Sequence, residues 1–514
     1  MKKVLSLIIL FGVFASFTFS FGEDGMDKKI SLKDAIIQAL KNNLDLKIQK
    51  GDYDTARENM RIFKSIFIPS FSTKVTSTNA LTPNTDKYEG VDVVSNKSKT
   101  INSSVSQLLP VGGTLQLGFY TRRTNTNSKK VYVNPYIQTY AYAGLSQPLL
   151  KNFGITQTRY SILTGANNSE ISKLQLQQNV VQLILNTESA YWELVYAYKN
   201  LEVTKMALER AKDLLKQNEI KLKVGTIGAI DVLSSKAGVA QNESNVISAE
   251  RSVQSSEEAL KRILNMSREN SSIIPTDTPD IKPVETYFNA LLAEALQKRP
   301  EYKQAKLGLK NSDLGVKYSK NQALPDLSFN VDFSTYGQGG TVWSFDTANP
   351  EADPVKKSEL TFGDSVREAF KFKNRDYSFS LSLQMPLGFA KEKANIALAR
   401  ISRDKAALTL EKTENNIYSE VKDIIKEIES NQKLLEAQRI AMELEEENLK
   451  AEEKRLAVGI STLFNVQEYQ RRLANAQTSY LRSTINYVLS LSKLNRIVNR
   501  TLDVYGIDFE ETTK

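Results

Sequence analysis

Aspartate and glutamate are the side chains most able to do chemistry in this 514-residue chain, which has 59 of them but no cysteine and no histidine. Lacking cysteine and histidine, it cannot form Ser-His-Asp or Cys-His nucleophile pairs or the usual zinc sites. Glycoside hydrolysis needs only two carboxylates, but most of the acids, such as Glu445-Glu446-Glu447, lie in segments with helical periodicity. These acids are better explained as solvated helix faces, and we predict no catalytic residue, no cofactor and no metal site.

Binding of nucleotides or nucleic acids is also disfavoured. The stretch Gly337-Gln338-Gly339-Gly340 fails the spacing of a nucleotide-binding loop, because Val342 stands where the third glycine belongs. The formal net charge is +9, and it falls to about +7 without Lys2 and Lys3. So small an excess over so long a chain predicts no nucleic-acid partner.

The N-terminus has the pattern of an export signal. Two lysines precede an apolar run from Val4 to Phe21, after which small and acidic residues begin. This order predicts a secretory signal peptide over residues 1–22, cleaved after Gly22 or alternatively after Ser20. No later apolar run reaches about 18 residues, so we predict no membrane-spanning helix. The mature protein is expected to be exported, either soluble or held in a membrane by strands.

The chain contains an internal duplication. Residues 224–265 recur without a gap as residues 458–499. The clearest matches are Val224-Gly225 with Val458-Gly459, Asp231-Val232 with Asn465-Val466, and Leu260 to Asn265 with Leu494 to Asn499. A pattern of this kind indicates one architectural unit written twice. We therefore predict two structural repeats, residues 23–282 and residues 283–514.

Proline placement and apolar spacing predict long helices. All thirteen prolines lie at or before Pro386, and apolar residues in the proline-free windows recur at spacings of three and four. The predicted helices are 32–66, 155–224 and 230–266 in the first repeat, and 284–322, 391–458 and 463–499 in the second. Pro300 is expected to break or kink the helix that contains it. Each long helix, roughly 100 Å in length, should lie against two short ones stacked end to end, with Gly225 and Gly459 at the turns.

Between the helices the sequence alternates with a period of two. The clearest cases, Leu327 to Phe333 and Tyr377 to Met385, alternate apolar residues with mostly serine, asparagine and glutamine. We predict strands within 70–148 and within 326–385. This pattern is typical of an outer-membrane barrel, which we favour over a soluble sandwich sheet with the same alternation. Four tyrosines belong either to an interfacial aromatic girdle or to ordinary strand positions: Tyr132, Tyr136, Tyr140 and Tyr142.

The number of predicted strands requires more than one chain. Two hairpins are predicted, and the segment 101–119 either adds a third or lies beneath the barrel. The segment 341–372 is expected to form a loop or a small helix. The smallest usual closed barrel has about eight strands, and open sheet edges are not tolerated in lipid. Several chains must therefore share one barrel.

Together these features resemble the TolC family of outer-membrane efflux channels over essentially the whole mature chain. The segments that carry the resemblance are Ser31 to Asn43 for the opening helix, Leu145 to Leu149 and Leu383 to Leu387 for strand-to-helix transitions, and Lys221 to Thr226 and Arg455 to Ile460 for the tips. No single segment is very specific. What is specific is the combination of the duplication, the proline placement and both tips in one chain.

The resemblance implies a mainly α fold with membrane β structure, in which a duplicated repeat forms a long α-helical barrel plus an outer-membrane β-barrel shared by a homotrimer. It implies the exit duct of a tripartite efflux or type I secretion system, with a periplasmic adaptor, an inner-membrane transporter and outer-membrane lipid as partners. The implied periplasmic tip and adaptor contact consists of Val224, Gly225, Thr226, Val458, Gly459 and Ile460. The implied strand–helix transitions are Pro69, Pro148, Pro325 and Pro386.

A candidate pore gate lies beside these tips, at positions that carry acids in some family members. The corresponding residues here are Asp231, Asn465 and Glu468. Where the best-known pattern has a tyrosine and an arginine that link helices, this chain has Leu456 and Ser461, so that latch is not expected. Asp231 is expected either to pair with Lys223 or Arg455, or to act as a helix cap.

Two other functions are alternatives to the channel. A secreted coiled-coil stalk or adhesin accounts for the helices but leaves the alternating strands without a role. A periplasmic carboxylate hydrolase accounts for almost none of the features. A need for detergent distinguishes the channel from both.

Overall fold

The computed structural model describes residues 28–86, 89–129, 131–266, 271–344 and 354–512, and the predicted signal peptide at 1–22 lies outside the described residues. The chain divides into two compact units. The first contains the residues up to 47, 180–295 and 420–514, and the second contains 48–179 and 296–419. Each unit therefore draws segments from both predicted repeats.

Helices account for most of the described chain. They are α1 Leu32–Asn42, α2 Leu44–Lys64, α3 Ile155–Thr158, α4 Tyr160–Lys223, α5 Ala229–Leu264, α6 Phe288–Lys298, α7 Pro300–Gln322, α8 Phe362–Ala369, α9 Ala390–Ala457, α10 Leu463–Ile497, α11 Thr501–Tyr505 and α12 Phe509–Thr512. No helix among the described residues is both long and apolar enough to cross a membrane.

Three of the predicted helices are interrupted, and one of them, 155–224, is divided at Arg159 into α3 and α4. The segment 32–66 breaks at Asn43, whose side-chain oxygen accepts the N–H of Leu46 at 3.0 Å and so competes with the continuing helix. The segment 284–322 begins only at Phe288 and breaks before Pro300, which occupies the first turn of α7. Proline has no N–H to donate, so the start of a helix is where it fits best.

The first unit is built around a small apolar core. Its two short strands, β1 Lys28–Ile30 and β6 Ile273–Pro275, pair in parallel. The fully buried Tyr191 of α4 donates its hydroxyl to the carbonyl of Ile30 at 3.0 Å and accepts the N–H of Thr276 at 3.1 Å. One aromatic side chain thus ties the long helix to β1 and to the residue that follows β6.

The second unit contains a seven-stranded antiparallel sheet. Its strands are β2 Ser70–Pro83, β3 Val93–Leu108, β4 Thr114–Thr126, β5 Val133–Pro148, β7 Asp326–Ser344, β8 Val355–Leu360 and β9 Arg375–Gln384. The long strands follow the order β2-β3-β4-β5-β7-β9, and β8 pairs with the end of β7. The hairpin of β3 and β4 therefore adds the third hairpin to the sheet, and the described parts of 341–372 include strand residues as well as α8.

The sheet has one apolar and one polar face. The register pairs the apolar residues of β7 and β9 with each other: Leu327 with Leu383, Phe329 with Leu381, Val331 with Phe379, and Phe333 with Tyr377. The serines between them point to the opposite side, because successive strand residues alternate. Tyr377 is 70% exposed and Phe379 and Leu381 are each 65% exposed. The described chain itself thus leaves much of this apolar band uncovered.

The tyrosines of β5 lie on the polar face. Tyr140 is in register with Tyr336, which is out of phase with Phe333 on the apolar face. The rings of Tyr120, Tyr140 and Tyr336 follow one another with centroids 5.9 Å apart. Three of the four tyrosines therefore lie on the face opposite the apolar band, because an odd shift in phase moves a strand side chain to the other face, and this favours ordinary strand positions over the aromatic girdle. The three tyrosines are Tyr136, Tyr140 and Tyr142.

Candidate functional site

The candidate site lies in the first unit, where each long helix ends and a short one begins. Gly225 (φ +78°) follows α4, and Gly459 (φ +80°) follows α9. At both turns the glycine N–H donates to the carbonyl three residues earlier, and the next N–H donates to the carbonyl five residues earlier, at 2.9–3.2 Å. This is the Schellman motif, which favours glycine because a Cβ is strained at positive φ. Both halves of the duplication therefore end their long helices in the same way.

The side chains around the two turns are apolar and exposed. Val224 is 70% exposed, Val458 is 72% exposed and Ile460 is 74% exposed. Thr226 differs, because its hydroxyl donates to the carbonyl of Lys221 at 3.0 Å and reinforces the first turn. The two turns thus present large apolar side chains that the described chain leaves uncovered.

Asp231 acts as a helix cap. Its carboxylate accepts the backbone N–H of Gly228 at 3.1 Å, at the start of α5. Among the described residues it forms no ion pair with Lys223 or Arg455. Arg455 instead pairs with Glu452 at 3.4 Å. Asp231 is therefore a helix cap, and the expected ion pair with Lys223 or Arg455 is wrong.

Glu468 lies between two arginines one turn further along α10. Its carboxylate accepts from Arg471 at 2.7 and 2.9 Å and from Arg472 at 3.0 Å. These hydrogen bonds lower the pKa of Glu468 to about 2. The carboxylate therefore stays ionised at neutral pH, but the two guanidinium groups leave the cluster with a net positive charge.

Asn465 belongs to a polar network that the sequence did not reveal. Its amide donates to the hydroxyl of Ser461 at 3.4 Å, and Ser461 in turn donates to the carboxylate of Glu452. The side chain of Glu452 is only 7% exposed. Nothing in the periodicity distinguished Glu452 from the many other acids of α9. Only the Gly459 turn brings this acid from the penultimate turn of the helix back to Ser461.

The two turns are joined through packing between helices. Leu214 of α4, Leu449 of α9 and Val466 and Leu473 of α10 form one buried cluster. A weaker polar contact, 3.4 Å between Ser234 and Gln467, links α5 to α10. Asp231 makes no hydrogen bond to Asn465 or Glu468 in the part of the chain that the structure describes. The three candidate gate residues thus occupy one unit without touching as a group.

The four prolines of the strand–helix transitions lie at ends of strands in the second unit. Pro148 is the last residue of β5, and Pro325 directly precedes β7. Just beyond Pro148, the N–H of Leu149 donates to the carbonyl of Leu327 at 2.7 Å, and that of Lys151 donates to the carbonyl of Pro325 at 3.4 Å. The other two, Pro69 and Pro386, flank β2 and β9. Within the described ranges no group of three or more acids could hold a metal ion.

Comparison with known proteins finds one family model over most of the chain. The model described as "Outer membrane efflux protein" matches residues 35–266 and 291–500. The chain is 22% identical to outer membrane protein TolC of Vibrio cholerae, over 62% of this chain and 67% of that protein. It is 23% identical to outer membrane protein TolC of Escherichia coli, over 63% of this chain and 64% of that protein.

A solved structure has the same fold. The Campylobacter jejuni CmeC outer membrane channel aligns with a TM-score of 0.66 and 15% identity, over 93% of this chain and 90% of that one. At this identity the likeness concerns the fold alone.

Proposed function

The chain belongs to the outer membrane efflux protein family, and on that premise we propose that it is a homotrimeric exit duct of the outer membrane. Substrates would pass through its lumen without covalent change. The family is one of channels, and the two curated relatives are outer membrane proteins by name. The observation that carries the proposal is the sheet, whose exposed apolar band suits lipid and whose polar face suits a water-filled lumen.

The edges of the sheet support a shared barrel. Among the residues that the structure describes, β2 pairs only with β3 and β9 pairs only with β7, so each has one free edge. Open edges are not tolerated in lipid, and joining β2 of one copy to β9 of the next would satisfy both. Three copies of the six long strands would give eighteen strands, a size at which barrels enclose an aqueous channel.

The two helix turns are proposed as the periplasmic tip and adaptor contact. Large exposed apolar side chains are common at protein-binding surfaces, and Val224, Val458 and Ile460 meet that description. A periplasmic adaptor would dock on this surface, with Gly225 and Gly459 setting its shape and Thr226 fixing the first turn. The adaptor would link the duct to an inner-membrane transporter, in tripartite efflux or in type I secretion.

The candidate gate at this tip would have an unequal charge distribution. Asp231 would carry its charge at the first turn, while Arg471 and Arg472 would outweigh Glu468 at the second. Asn465 would hold the second turn through Ser461. Neutralising Asp231 and Glu468 together should lower cation binding at the tip, and unchanged conductance and selectivity in that double variant would refute the gate role.

The direct test is to express the full chain, extract it from membranes and measure its mass in detergent. We expect extraction to require detergent and the mass to be three times that of the mature chain. In planar bilayers the trimer should give a small, steady conductance. A monomer that is soluble without detergent and gives no conductance would overturn the channel and favour a secreted stalk.

A further inference from the structure

A short helix lies on the apolar side of the sheet, directly beyond the apolar band. Thr335 and Gly337 follow Phe333 on that face of β7. The hydroxyl of Thr335 donates to the carbonyl of Ala369 in α8 at 2.5 Å. A Cβ added at Gly337 would come within 1.9 Å of the carbonyl oxygen of Ser365. α8 therefore packs against the same face as the band, and glycine is required beneath it.

Buried hydroxyl groups fix this helix in place. Thr139 of β5 is fully buried and lies 2.9 Å from the hydroxyl of Ser365, and Thr121 lies 3.2 Å from Thr139. Hydroxyl groups taken from water in this way need such partners. The helix thus covers the polar residues that interrupt the apolar face.

Aromatic side chains surround the helix and remain exposed. Phe362 is 49% exposed, Phe370 is 55% exposed and Phe372 is 48% exposed. The ring of Phe372 stacks on that of Phe333 with centroids 6.2 Å apart. These rings therefore continue the apolar band onto the helix, and aromatic residues are enriched where proteins meet a membrane surface.

The same segment carries an excess of positive charge. Residues 354–375 contain six lysines and arginines but three acids. All three acids already have partners: Glu359 binds Lys356, Asp364 caps α8 and binds Arg367, and Glu368 accepts from Gln338 and Asn374. With six cations and three acids, residues 354–375 keep a formal net charge of +3.

Three of these cations form what we call the basic rim: Lys371, Lys373 and Arg375. All three are exposed. Arg375 is in register with Thr335 on the apolar side of the sheet, immediately beyond the pair of Phe333 and Tyr377. In the described ranges Lys373 and Arg375 form no ion pair. Along β9 the apolar side thus changes from leucine and phenylalanine to tyrosine and then to arginine.

We propose that the basic rim binds the phosphate groups of membrane lipid headgroups, with Phe362, Phe370 and Phe372 inserted beside it. This inference rests on the proposed function, because it takes the apolar band as the surface that contacts acyl chains. Continuity of the rim with the band favours a lipid over a soluble phosphate, since a lipid would contact both. Guanidinium and ammonium groups provide the charge-assisted hydrogen bonds that phosphate accepts.

The test uses the full detergent-purified protein in phosphatidylcholine vesicles that contain a minor share of spin-labelled lipid. Electron paramagnetic resonance measures how strongly labelled phosphatidylglycerol is retained at the protein relative to labelled phosphatidylcholine. We expect a preference of about fivefold for the anionic lipid. The triple variant K371E/K373E/R375E should lower the ratio to about one, and high salt should weaken the wild-type preference.

Two controls keep the outcome interpretable. The triple variant K422E/K426E/K433E makes the same change in charge on the part of α9 that belongs to the first unit, and should leave the ratio unchanged. The milder variant K371Q/K373Q/R375Q replaces the first if the acidic version does not insert. A wild-type ratio of one, or an unchanged ratio in the rim variants, would overturn the proposal while leaving the channel intact. Failure of the protein to enter vesicles at all would instead count against the proposed function.

Discussion

The two helix turns have nearly the same backbone but differ in how their side chains hold it. At the first turn, Asp231 caps α5 from an exposed position. At the second, the nearly buried Glu452 accepts from Ser461 across the turn and from Arg455 on its own helix. The duplication therefore preserved the geometry that glycine imposes and let the surrounding polar contacts diverge. We infer that the second turn is the stiffer of the two, and that opening the tip depends more on its network.

Removing Glu452 should have the largest effect. The variant E452A leaves Ser461 and Arg455 without their acceptor, and losing such a contact costs about 1–3 kcal/mol. Amide hydrogen exchange over 458–466 should become about tenfold faster or more, while exchange over 224–231 should stay unchanged. The matched variant E219A removes an acid whose contact with Lys236 is exposed and 4.0 Å long, and should change neither segment. Equal exchange in the two variants would contradict the difference between the turns.

The two glycines should respond alike, because their backbone geometry is alike. Alanine at a left-handed position costs about 1 kcal/mol, so G225A and G459A should each speed exchange of the N–H that closes the turn roughly fivefold. Those protons belong to Thr226 and Ile460. A large difference between the two variants would mean that the side-chain network, and not the backbone, sets the stability of each turn.

Loss of the cap at the first turn should have a smaller effect. D231A removes the acceptor of the Gly228 N–H and should destabilise the start of α5 by about 0.5–1 kcal/mol. D231N keeps an acceptor oxygen and should remain close to wild type in hydrogen exchange of α5. If D231N were as destabilised as D231A, the charge of Asp231 would matter more than the cap.

Mild acid should leave the Glu468 cluster intact. The pKa of Glu468 lies near 2 because Arg471 and Arg472 donate to it. Such a depressed pKa gives stability that is present above the ordinary value near 4.5 and is lost as the pH falls towards 2. The variant E468Q should speed amide hydrogen exchange over the first turns of α10 relative to wild type. We therefore expect this difference to be the same at pH 7 and at pH 5. A response that disappears by pH 5 would show that the arginines do not hold the carboxylate.

Much of this arrangement could be anticipated where a single residue type dictates the local geometry. Gly225 and Gly459 indicated the turns because few other residues tolerate positive φ, and the alternation around Phe333 indicated the two faces of the sheet. The break at Asn43 depended on a side chain competing with its own backbone. The face of Tyr140 depended on strand register. Glu452 could not be singled out, because its role arises only when a turn folds two helices onto each other.

The most direct test of this account is the single-channel conductance of wild type, E452A and E219A in planar bilayers. We expect a small conductance for wild type and E219A and a clearly larger one for E452A, because loss of the Glu452 carboxylate frees the second turn. Identical conductance in all three channels would contradict the inference that opening of the tip depends on this network.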